Sequence, residues 1–157
     1  MSTVTIEELE NILTNWNVSF TSKQKRYIHF NSLRNFVFHF RDLPIGKVQE
    51  TVLNQLNEYV REIEKHNFFL TSKESYDLAA RYMNQLSDTY SAHLHFKSIM
   101  EFRFVMLFSI IGDGILYLIL KNKIAFYFPI VSLSLLTYYF TRKFTLEKKK
   151  KLFGLFY

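Results

Sequence analysis

Two apolar runs near the C-terminal end limit what this chain can fold into. Residues 104–120 hold one charged residue, Asp113, and residues 124–141 hold none. A helix needs about 20 apolar residues, range ~17–25, to cross the hydrocarbon core of a bilayer. Both runs are therefore minimal spans. Only Lys121, Asn122 and Lys123 separate them, and so short a polar turn returns the chain antiparallel. The pattern predicts a two-helix transmembrane hairpin whose turn lysines snorkel to the headgroups. The competing fold is a buried hairpin inside a soluble bundle, which the rest of the chain is too small to enclose.

That rest is predicted to be helical. The chain of 157 residues has four glycines, two prolines and no cysteine, with seventeen Phe and ten Tyr. Without cysteine there is no disulfide and no thiolate metal site. The first fifteen residues are polar and acidic, unlike a signal peptide. Residues 1–100 carry eleven Lys/Arg and eleven Asp/Glu, so the net charge of +6 lies wholly in residues 101–157, with nine and three. Charge held at the membrane edges points to an anionic leaflet and gives no signal for DNA.

Three capping boxes mark helix starts, at Thr5–Glu8, Thr21–Gln24 and Thr71–Glu74. The first helix buries Ile6, Leu9, Ile12, Leu13 and Trp16. The second runs from about Ser22 to Phe40, with Phe30, Leu33, Phe36, Val37 and Phe40 as its stripe. The Pro44–Gly46 turn leads to a third helix, about Lys47 to His66, with Val52, Leu53, Leu56, Val60 and Ile63 inward. From Ser72 no breaker occurs before Gly112. The fourth helix, with Tyr76, Ala79, Tyr82, Met83, Leu86 and Tyr90 on one face, can thus run into the first span as one rod. The expected fold is all-α: a bundle of about four helices over residues 1–100, a hairpin over 101–143 and a basic, aromatic tail over 144–157. That tail is expected at the membrane interface or on a neighbour. Arg142, Lys143 and Lys148, Lys149, Lys150 and Lys151 outnumber the two turn lysines. The positive-inside bias then places both termini in the cytoplasm of an inner-membrane, multi-pass protein.

Polar residues inside the spans come next. Ser109, Gly112 and Asp113 share one face of the first, and Ser134, Thr137 and Thr141 one face of the second. A carboxylate near mid-membrane costs about 2.5–3.5 kcal/mol on insertion scales and usually faces protein or water. A single hairpin shields it poorly, so five or more copies are expected to assemble with the Asp113 face inward, and a carboxylate ring favours cations. The same small residues also suit close helix packing.

In the second helix, Arg34-Asn-Phe-Val-Phe-His39 is an R-x4-H string; Arg61 to His66 is another. A histidine can move a 2′-OH proton while an arginine holds the phosphate. Helical spacing sets Arg34 and His39 about 140° apart, and the bland alternative is a solvated basic face. His93 and His95 would point apart on a helix. With no Gly-rich phosphate loop and no His/Cys cluster, no metal and no cofactor are expected.

The string at Arg34–His39 resembles the signature of HEPN domains. With its size, helical character and membrane spans, the chain resembles the small HEPN-like membrane proteins of type VI-B CRISPR systems. That resemblance implies a pore-forming or depolarising accessory of antiphage defence beside an RNA-guided effector. Here the string lies on the second helix instead of late in the bundle, which favours a divergent, non-catalytic version. A membrane-tethered RNase using Arg34 and His39, and a two-span adaptor or immunity protein without a pore, stay as alternatives.

Overall fold

A computed structural model describes residues 4–120 and 130–154. The turn at 121–123 and the start of the second expected span, 124–129, lie outside the described residues. The chain divides into a bundle, formed within residues 1–97 and 151–157, and a helix pair within 98–150.

The bundle begins where local chemistry places it. Thr5 caps α1 (Ile6–Ser19), and Thr21 caps α2 (Ser22–Tyr27) through a reciprocal box with Gln24. The second helix then departs from the single rod expected over 22–40. His29 adopts a left-handed backbone, φ 49°, and α3 (Phe30–Phe38) starts afresh. Burial explains the break. His29 is enclosed, and its Nε2 lies 3.1 Å from the carbonyl of Ser75, while Tyr59 Oη donates to the carbonyl of Ile28 at 2.9 Å. Tertiary bonds satisfy backbone groups that a continuous helix would otherwise use. A 3-10 turn over Phe40–Asp42 follows. Gly46, at φ 107°, supplies a conformation that side chains resist and admits α4 (Lys47–Lys65).

Thr71 caps α5 (Ser72–Leu78), which passes through a π-helical turn, Ala79–Met83, into α6 (Asn84–Leu94). Every expected stripe residue of α3 is buried, as are most of those of α1, α4 and α6; Tyr76 is exposed instead. The long rod into the membrane span is corrected. His95, at φ 59°, ends α6 in the left-handed region, and the strand β1 (Lys97–Ser98) intervenes. Phe96 drives this turn: it is fully buried, with Phe36 and Tyr90 rings 5.6 and 5.1 Å away. A helix continuing past Leu94 would carry it out of that cluster.

The tail is corrected over its described part, and residues 155–157 lie outside the described residues. Instead of lying at an interface, β2 (Leu152–Phe153) pairs with β1 and Leu152 is wholly buried. Residues 144–148 belong to the last helix, so no separate tail begins at 144.

In the second unit, α7 (Ile99–Leu120) packs against α8 (Ile130–Lys148). Phe102 meets Tyr139 at 5.2 Å, and Asp113 meets Ser132, so the two run antiparallel. α7 is long and apolar enough to cross a bilayer: Ile99–Ile119 averages a hydropathy of 1.8, with 18% of its most apolar window buried. Such low burial separates it from the core helices of the bundle.

Candidate functional site

The polar residues of the helix pair converge on one point. Asp113 is 7% exposed and Ser109 1% exposed. Asp113 Oδ2 accepts a hydrogen bond from the backbone N–H of Ser132 at 2.8 Å. The Ser132 hydroxyl donates to the carbonyl of Ser109 at 3.2 Å, and the Ser109 hydroxyl donates to the carbonyl of Met106 at 2.8 Å. One copy of the chain therefore encloses the acid, and its burial does not by itself call for further copies.

The other polar residues fall elsewhere. Ser134, Thr137 and Thr141 are exposed and do not face Asp113; the serine that does, Ser132, escaped the sequence reading. Thr137 and Thr141 return their hydroxyls to the carbonyls of Leu133 and Thr137, both at 2.8 Å. Such back-bonding satisfies a hydroxyl without a neighbour. Gly112 has open space where a Cβ would stand, so no close helix approach depends on it.

Outside this seam the exposed side chains of α7 are largely apolar. Phe104, Leu107, Phe108, Ile110, Ile115 and Leu118 are exposed on α7, and Leu133 and Phe140 on α8. Toward the end of α8 each cation covers a ring one turn back. Arg142 lies 5.6 Å from Tyr138, Lys143 5.9 Å from Tyr139 and Lys148 4.4 Å from Phe144. Aromatic rings beside snorkelling cations are the composition of a membrane–water boundary.

In the bundle, Arg34 and His39 meet different surroundings. Arg34 is exposed and lies over the ring of Phe30 at 5.9 Å. His39 is buried at the end of α3, so it belongs to no solvated face. Its Nδ1 is 2.6 Å from Asp42 Oδ2, and its ring stands edge-on to Phe38 and Phe96. A carboxylate on Nδ1 fixes the orientation of the ring, but apolar rings flank the imidazole. His93 and His95 are both exposed, on either side of Leu94 where α6 ends. His93 lines a surface cleft of about 470 Å3 with Lys47, Thr51, Asp88 and Thr89. Among the described residues no group of three His, Cys, Asp or Glu is placed to hold a metal ion.

His29 is the buried histidine the sequence did not single out. Besides the Ser75 carbonyl, its Nε2 lies 3.2 Å from Ser75 Oγ, which itself donates to the carbonyl of Tyr27 at 2.6 Å. Burial holds the His29 pKa below its ordinary value, partly opposed by the hydrogen bond to Ser75. These bonds tie the α2–α3 break to α5.

No known family, curated protein or solved structure matches this chain.

Proposed function

We propose that this protein is a membrane-anchored helical module, with the α7–α8 pair as a self-contained anchor and the bundle as an interaction domain. The bond between Asp113 and the backbone N–H of Ser132 carries the reading. In hydrocarbon, a backbone N–H without a partner costs several kcal/mol. An acid that meets this need inside one copy acts as the fastener of an anchor. The aromatic and basic collar of α8 supports placement of its end at an anionic surface. The pairing of β1, just before α7, with β2, just after α8, supports entry and exit on one side of the bilayer, the cytoplasmic side by the Lys/Arg bias.

The resemblance to HEPN-like accessory proteins enters this proposal as a divergent bundle, with His39 held in a core contact and no role in RNA cleavage. An antiphage pore of five or more copies is the rival reading, and the mass of the detergent-solubilised protein with a dye-release assay separates the two. The anchor predicts one or two copies per particle and vesicles that keep their dye. A discrete assembly of five or more copies, with dye release that Asp113→Leu abolishes, overturns it.

A further inference from the structure

Two of the most deeply buried residues of α3 are polar. Asn35 is 1% exposed and Ser32 2%. A buried amide or hydroxyl left unpaired keeps the full cost of its lost hydration, so their partners matter. Asn35 Nδ2 donates to the carbonyl of Leu152 at 2.8 Å. Ser32 Oγ accepts from the Gly154 N–H at 3.1 Å and donates to the Gly154 carbonyl at 3.3 Å. All three bonds go to main chain. The Lys97 N–H donates to the carbonyl of Lys151 at 3.0 Å, and Lys151 Nζ donates to the carbonyl of Leu94 at 3.0 Å. The Leu152 side chain is wholly enclosed, and Phe153 lies 6.0 Å from the ring of Phe36. α3 and β1 thus form a groove that reads an extended segment by its backbone, with one leucine pocket. Strand addition to a sheet edge works the same way.

The segment in that groove lies more than a hundred residues from α3 in sequence. It hangs from α8 by a short linker in which Lys150 sits at φ 53°. For a lysine, whose Cβ crowds the following carbonyl, the left-handed region is unfavourable. A short, strained hinge beside a segment that makes its own complete set of contacts is the usual setting for exchange between copies.

We propose that the groove is an exchange site, which takes the Lys151–Gly154 segment of a second copy in place of the chain's own. The second copy offers identical atoms, so every bond lost in cis is regained in trans. Opening the hinge also releases the Lys150 strain. Confinement of both copies to one bilayer, which rests on the anchor reading, raises their effective concentration.

The chain has no cysteine, so disulfides can trap the exchange in the full-length protein. One tagged copy carries Lys97→Cys, and a differently tagged copy carries Lys151→Cys. The Lys97 N–H bonds to the Lys151 carbonyl at 3.0 Å, so the two positions are neighbours across the β1–β2 contact. Co-reconstituted in vesicles and oxidised, the two are expected to give a disulfide-linked heterodimer. Adding Asn35→Ala to the Lys97→Cys copy should remove at least nine-tenths of that product. The doubly substituted single chain controls for folding by bridging internally. An internal bridge with no heterodimer means that the segment stays in cis and overturns the proposal, as does the absence of both bridges. Protein that leaves the vesicles but still cross-links in solution refutes the anchor and keeps the exchange.

Discussion

His29 ties a pH response to one side chain. Because burial lowers its pKa in the folded state, the unfolded chain takes up the proton first as pH falls below its ordinary value of 6.5. Stability contributed by the neutral ring is therefore present above that value and declines as pH drops toward the folded-state pKa. Trp16, the only tryptophan and a buried one, reports unfolding of the bundle. The urea midpoint from its fluorescence should fall between pH 7.5 and 5.5. In His29→Gln, whose amide can still donate to Ser75, the fall should be smaller. Equal slopes in both proteins would remove His29 as the cause. Asp113 makes a second residue-scale prediction. Asp113→Asn keeps an oxygen that can accept from the Ser132 N–H, and should change thermal stability in detergent little. Asp113→Leu leaves that donor unmet and should cost about 1–3 kcal/mol. Matching losses in the two variants would show that charge, and not the hydrogen bond, holds the pair.

At the scale of elements, the starts of helices were legible and their interruptions were not. Thr5, Thr21 and Thr71 act through partners three residues away, so a capping box can be seen in the string alone. His29 and His95 take left-handed conformations because distant residues hold their neighbours, Ser75 in one case and Phe36 with Tyr90 in the other. Neither is a glycine, the residue that normally announces such a turn. Ser132 was overlooked for a related reason: its N–H, not its side-chain period, meets Asp113. β2 was hidden because its partners on α3 are 117 and 122 residues away. The His95 break can be tested by the sign of one substitution. Glycine in a helix interior costs about 0.5–1 kcal/mol relative to alanine, so a continuous rod would be weakened by His95→Gly. At a left-handed helix end glycine relieves strain, and the melting temperature should stay level or rise. His95→Val should lower it, since β-branched residues resist positive φ.

For the whole molecule anchored as proposed, the decisive property is which segments share a side of the membrane. α7 satisfies the length and hydropathy of a span, and its exposed face is largely apolar. The described part of α8 carries no charged residue up to Thr141, after which Arg142, Lys143 and Lys148 lie over rings one turn back. If both helices cross, the chain returns to the side it left, and the β1–β2 pair closes without strain on the spans. Single cysteines introduced into the cysteine-free chain read this directly. Ser22→Cys in the bundle and Lys149→Cys after α8 should react with a membrane-impermeant maleimide from the same face of inverted inner-membrane vesicles. Asn122→Cys should react only once the vesicles are opened. Labelling of all three from one face would make α7 and α8 an interfacial pair lying along the membrane. The Ser132–Asp113 bond would then serve a partly hydrated seam, where N–H groups can turn to water and the bond is worth only about 0.5–1.5 kcal/mol. Under that outcome Asp113→Leu should be nearly as stable as the parent protein, so the labelling pattern and the melting of a single variant must agree.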